Sequence, residues 1–190
     1  MRFRRATEAD FAPILRLQEA NLVWNLSEEQ ARTDGFLSAR YRADDFRNMD
    51  RDGALVVAED ADRLAGYACA FAQTFNPGAP LLAAMIAEFP KLTFLGRPLH
   101  GERTCIYGPV CVDKDYRGGG VLRGLVGELK EQLRGRFDIA AAFIAKSNTR
   151  SLVAHVDGLG MTVVGDFRFD GRPFWIVAFS IPPEAVSCGI

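Results

Sequence analysis

The run from Thr104 to Ala145 confines this chain more tightly than any other part of it. An apolar strand over Thr104–Val112 leads into Tyr116, Arg117 and three consecutive glycines, and a helix begins at once. In that helix Val121, Leu122, Leu125, Val126, Leu129 and Leu133 recur at helical spacing, so one face must pack on a sheet. Gly135, after Arg134, stands where a helix is capped. Asp138–Ala145 is then apolar almost throughout, the pattern of a buried parallel strand. Strand, helix and strand at this spacing predict a right-handed crossover joining two parallel strands.

The remaining segments frame that crossover. Met1–Ala6 reads as a first strand, and Thr7 as the cap of a helix ending near Asn21. Ser27 to Gln30 has the spacing of a capping box and opens a second helix, expected to reach Arg42. Leu55–Glu59 and Leu64–Phe75 form a hairpin across a short polar loop, with Gly66 as a candidate bulge. From Asn76 to Gly101 come a proline-glycine turn, an apolar helix ended by Pro90, and loop. After the crossover, a helix near Thr149–Gly158 precedes a second hairpin, Met161–Phe169 with Phe174–Ile181. The fold class is therefore α/β, a mixed and mostly antiparallel central sheet with one parallel β-α-β crossover. No repeat or linker divides residues 1–190, so one domain is expected, with 183–190 as a loose tail.

Composition narrows the function classes. Twenty-three basic against 24 acidic residues give a formal net charge of −1, which offers no electrostatic case for nucleic acid or an anionic membrane. No apolar run approaches the ~18 residues of a spanning helix, and the N-terminus is charged where a secretory signal would be apolar. Cys69, Cys105 and Cys111 lie in apolar strands, and Cys188 near the end; none has paired or metal-ligand spacing. Buried thiols in a reducing, cytoplasmic compartment are expected, with no metal site.

Two features of the central run carry chemistry. Gly118, Gly119 and Gly120 can take positive φ and bring the backbone close to a ligand. The helix that follows offers unpaired N–H groups and its positive dipole end, a site for an anion. A Walker loop would place Gly-Lys-Ser/Thr there, whereas Val121 and Leu122 stand in those positions. The spacing of Gly118, Gly120 and Gly124 also misses the dinucleotide fingerprint. The second feature is Gly108-Pro109 inside the preceding strand. Proline cannot donate to a ladder, so the strand either lies at an edge or bulges away from one neighbour.

Arg117-Gly118-Gly119-Gly120-Val121-Leu122, after Val110-Cys111-Val112 and Tyr116, resembles the acetyl-CoA loop of the GNAT N-acetyltransferase superfamily. That loop runs strand, Gln/Arg-x-x-Gly-x-Gly/Ala, helix; Leu122 departs from its last position. The resemblance extends over nearly the whole chain, because the element order matches the fold, in which the central strands splay. It implies that amides of Gly118 to Leu122, next to Arg117, hold the pyrophosphate of acetyl-CoA. Pantetheine would then align along Val110, Cys111 and Val112, whose polar groups a splayed strand leaves open. Asn148 and Ser151 match a second family stretch, which belongs to the cofactor site. In that stretch His155 falls where the family often carries the tyrosine that protonates the departing thiolate.

An imidazole can serve as that acid; otherwise His155 is a helix histidine facing solvent or capping a neighbour. The glutamate that many members carry on the bulged strand is missing, since Cys105 and Ile106 occupy its positions. Tyr107, beside the bulge, is the residue expected to contact the acetyl group or acceptor, with Glu59 and Glu102 as further candidate bases. His100 and Glu88 are candidates for an acceptor pocket, and Asp34, Asp44, Asp45 and Glu88 for attracting a cationic amine. Cys111, flanked by valines and without a partner histidine, reads as a buried thiol rather than a nucleophile. The expected function is transfer of acetyl from acetyl-CoA to a primary amine of a small molecule or peptide, by direct attack in a ternary complex. The alternative is a non-catalytic acyl-CoA-binding sensor or subunit with the same fold. A homodimer is an assembly common in such families.

Overall fold

The computed structural model describes residues 1–75 and 78–183; the expected turn at Pro77, most of the expected tail and Cys188 lie outside them. Seven strands form one sheet: β1 (Arg2–Arg5), β2 (Ala54–Asp60), β3 (Arg63–Ala72), β6 (Thr104–Val112), β7 (Ile139–Ala145), β9 (Arg172–Ser180) and β8 (Thr162–Phe169), in that spatial order. Every pairing is antiparallel except β6 with β7. The helix between those two strands, α5 (Val121–Leu133), makes the crossover that the sequence demands. A separate two-stranded piece, β4 (Thr93–Phe94) with β5 (Arg97–Pro98), forms where the sequence reads as loop.

Helices cover both faces of the sheet. Val56, Ala68, Tyr107, Ala140 and Val177 point to the side where α5 packs through Leu125, Leu129 and Leu133. Leu55, Tyr67, Ile106, Ile139 and Ile176 point to the other side. There α1 (Phe11–Ala20), α3 (Ala43–Asp52) and α4 (Pro80–Glu88) bury Ile14, Phe46, Met49 and Met85. Helix α5 lies close on its strands because of Gly124, where a Cβ would stand 2.0 Å from Cζ of Phe3.

The N-terminal half shows capping chemistry deciding local structure. Asp10 accepts the Thr7 amide at 2.7 Å and two bonds from Arg4, at 2.7 and 2.9 Å, tying β1 to the start of α1. The Ser27–Gln30 capping box forms and opens α2 (Glu28–Asp34). That helix ends at Asp34 rather than at Arg42, because Gly35 turns the chain with φ of 76°. Residues 35–42 are released to run back over the sheet, and α3 follows as a helix of its own.

The central strands part at Gly108-Pro109. Strand β6 pairs with β7 only through Thr104, Cys105 and Ile106. On its other flank it keeps β3, with Tyr107 opposite Ala70 and Val110 opposite Ala68. Gly108 and Pro109 thus face Cys69 alone, a bulge that brings Tyr107 and Val110 to the same face. Strand β7 meanwhile continues along β9 to Ala145. The two strands diverge, and the gap between them opens toward the glycine turn.

Candidate active site

The open edge of β6 presents backbone groups to that gap. Asp113 donates its N–H to Ala65, and the Cys111 carbonyl lies against Gly66, so both peptide groups face β3. By strand alternation the groups of Val110 and Val112 point the other way, toward β7 and the gap. The Val112 carbonyl is not left open there, because Arg117 Nε donates to it at 3.1 Å. Val110 is therefore the residue whose N–H and C=O both face the gap, with no partner on β7 among the described residues.

Arg117 also ties the glycine turn to the N-terminal helices. Its Nη2 donates to Asn21 Oδ1 at 2.6 Å, and its Nη1 lies 3.5 Å from Asp34. Gly118 and Gly120 have φ of 78° and 82°, and a Cβ on either would meet no protein atom within 4 Å. Glycine is thus required there for backbone conformation, not for packing. The first internal bond of α5 runs from the Gly124 N–H to the Gly120 carbonyl. The amides of Val121, Leu122 and Arg123 are therefore the helix's N-terminal donors.

A cleft of about 540 Å3 lies over this turn, walled by Val110–Val112, the glycine turn, the Gly35–Leu37 segment and α6 (Thr149–Val156). Asn148 caps α6 by accepting the Ser151 amide at 3.2 Å, and its Nδ2 donates to the Phe36 carbonyl at 2.9 Å. Both ends of its amide are thereby engaged, so Asn148 builds the wall without lining the large cleft. Ser151 and His155 line that cleft and also a smaller one of about 90 Å3 behind it.

Between the two clefts Tyr107 and His155 meet, 3% and 5% exposed. His155 Nδ1 lies 2.7 Å from the Ser151 carbonyl. A carbonyl only accepts, so the ring carries its proton on Nδ1. His155 Nε2 then accepts from the Tyr107 hydroxyl at 3.2 Å. Burial pushes the His155 pKa below its ordinary value, against the opposing bond to Ser151. Burial also raises that of Tyr107. Both groups are neutral near pH 7, with Tyr107 the donor.

The other residues singled out from the sequence lie apart from this pair: Glu59, Glu88, His100 and Glu102 line neither cleft. Glu59 accepts from Arg4, Glu88 from Lys91, and Asp44 from Arg47, while Asp45 caps α3 through the Arg42 amide. Asp34 alone of the proposed acidic attractors reaches the large cleft, beside Arg117. The Cys111 thiol is pushed up to about 12 by burial, as expected of an inert thiol. Asn21, the Phe36–Leu37 wall, Arg123 and Arg150 also line the large cleft, and no motif in the sequence marks them. Asn21 lies 96 residues from Arg117, and no local pattern announces their contact.

Residues 20–161 match the model of the acetyltransferase (GNAT) family. The chain belongs to that family. Among curated proteins, none matches it. Solved structures share the GNAT fold at low identity. A ribosomal-protein-alanine N-acetyltransferase from Brucella melitensis is 23% identical with a TM-score of 0.61, over 95% of this chain and 99% of that one. A Salmonella typhimurium protein whose structure holds its cofactor acetyl-CoA is 18% identical, with a TM-score of 0.62 over 98% and 96% of the two chains. An aminoglycoside 6′-N-acetyltransferase complexed with coenzyme A is 14% identical, with a TM-score of 0.60 over 97% and 99%. Membership of the GNAT family makes this chain an acyltransferase, and acetyl transfer is the chemistry its family name carries. No helix of the described residues is long and apolar enough to cross a membrane.

Proposed function

We propose that this chain moves an acetyl group from acetyl-CoA to a primary amine by direct attack within a ternary complex. The observation that carries the reading is the gap between β6 and β7, with the glycine turn at its mouth and Tyr107–His155 at its throat. Amides from Gly118 to Leu122 would receive the pyrophosphate, with Arg117 bracing the turn from below. Pantetheine would lie along Val110–Val112, donating to the free carbonyl of Val110. Ser151 would form the wall opposite, and Asn148 would hold that wall in place. One continuous sheet from β1 to β8 supports a single catalytic domain. Buried free thiols at Cys69, Cys105 and Cys111 support a cytoplasmic setting.

In this reading the amine nitrogen attacks the thioester carbonyl, and the Val110 N–H meets the developing oxyanion. As the C–S bond breaks, Tyr107 turns its hydroxyl proton from His155 to the coenzyme A sulfur. His155 Nε2, released, takes the proton that the nitrogen loses and returns it to Tyr107. Juxtaposing both substrates supplies much of the acceleration. Calorimetry with acetyl-CoA, followed by an amine screen with free-thiol detection, tests the proposal. No bound acetyl-CoA, with an unchanged melting temperature at millimolar ligand, would sink it.

One observation favours the second reading, a non-catalytic acyl-CoA-binding protein. None of the described residues lining the small cleft is a carboxylate that could act as a base. Tight acetyl-CoA binding without thiol release from any amine would decide for that role.

A further inference from the structure

The small cleft behind Tyr107 and His155 is uncharged on every side. Its walls come from the segment after α2, from β3, β6 and β7, and from α4 and α6, and include no Asp, Glu, Lys or Arg among the described residues. The titratable groups facing it are Tyr41, Tyr107 and His155. It shares Val110 and His155 with the large cleft, so it is the side from which an acceptor would approach a thioester lying at Val110. At about 90 Å3 it is smaller than the ~150 Å3 cavity known to hold benzene. Only the reacting end of an acceptor fits, and that end must shed its water among Phe71, Leu82, Ile106 and Phe143.

An ammonium ion entering such walls would lose hydration with no carboxylate in return, the penalty borne by any buried unpaired ion. It would also bring one proton too many. An uncharged amine loses one proton from nitrogen while the sulfur gains one, so the transfer balances through Tyr107 and His155 alone. An ammonium must first give a proton to a base. The nitrogen available, His155 Nε2, already accepts from Tyr107.

We infer, resting on the acetyl-transfer reading, that the acceptor nitrogen enters this cleft uncharged and that the site is suited to weakly basic amines rather than lysine side chains or polyamines. Basicity alone separates these classes widely. At pH 7 about one in six α-amines of pKa near ~7.7 is neutral, against about one in 2,500 lysine ε-amines of pKa near ~10.4.

The test uses the full chain with acetyl-CoA and three acceptors: aniline, the more basic benzylamine, and spermidine. Thiol release is followed from pH 6.5 to 8.5, with acetyl-CoA binding measured separately by calorimetry. The kcat/KM for benzylamine is expected to rise about ten-fold per pH unit, tracking its neutral fraction, while that for aniline stays level. Ser38→Asp, which adds a carboxylate at a half-buried position of the cleft wall, is expected to flatten the benzylamine profile and raise its rate at pH 6.5. A level benzylamine profile in the unaltered protein, or turnover confined to spermidine, overturns the inference while leaving acetyl transfer standing. Acetyl-CoA binding without turnover of any amine overturns the inference and the transfer reading together. Failure to bind acetyl-CoA removes the cofactor site as well.

Discussion

A neutral imidazole buried between two clefts makes a fold sensitive to acid, and His155→Gln is the substitution that isolates the effect. Glutamine can still accept from Tyr107 and donate toward the Ser151 carbonyl, so the two bonds seen for His155 have a counterpart. The His155 pKa is depressed by burial in the folded state. Below the unfolded value of ~6.5 the unfolded chain binds a proton that the native state refuses. Stability due to His155 is therefore complete above that pH and is lost as pH falls from it toward the lower folded value. Between pH 6.5 and 5.5 the slope is at most about 1.4 kcal/mol per pH unit, and for a chain of this size each 1 kcal/mol lost lowers the melting temperature by about 2–4 °C. Thermal unfolding by circular dichroism at both pH values, for both proteins, measures it. The unaltered chain should lose that increment and His155→Gln should not. Equal losses would show that the imidazole is solvated or already cationic in the native state.

Three other substitutions probe separate parts of the structure. Gly120→Ala forces an L-residue to hold φ of 82° with no contact to relieve or aggravate it. It should lower stability by about 1–2 kcal/mol and weaken acetyl-CoA binding in calorimetry. Gly124→Ala drives a methyl into Phe3 at 2.0 Å and should cost about 1–3 kcal/mol by denaturant titration. Phe3→Leu in the same chain should recover part of that loss. Tyr107→Phe removes the hydroxyl that donates to His155 and should lower kcat about ten-fold or more with little change in acetyl-CoA affinity; unchanged kcat would remove Tyr107 from the proton path.

Local pattern and tertiary position differ in how far a sequence displays them. The crossover, the hairpins, the caps at Thr7 and Ser27 and the helix stop at Gly135 are legible because each depends on periodicity or on the conformational range of one residue. The break at Gly108-Pro109 is legible as a break, but its form is not. Whether proline closes an edge or a bulge depends on which strand pairs alongside, and β3 keeps its register while β7 departs. Helix α2 is shorter than its sequence suggests, because Gly35 turns the chain while Phe36, Leu37, Ala39 and Tyr41 beyond it continue an apolar pattern that a helix can absorb.

The sequence by itself determined a glycine turn at the start of an amphipathic helix beside a disrupted strand, and with them a resemblance to the acetyl-CoA loop of the GNAT family. Those features are local: φ preferences, helix-end donors and a missing N–H act over a few residues. Only the tertiary structure brought Tyr107 to His155, gave the Val112 carbonyl to Arg117 and left Val110 facing the gap. Those contacts depend on how separate elements pack, and burial then sets the protonation of Tyr107 and His155. Desolvation depends on everything packed around a group, which no short stretch of sequence contains.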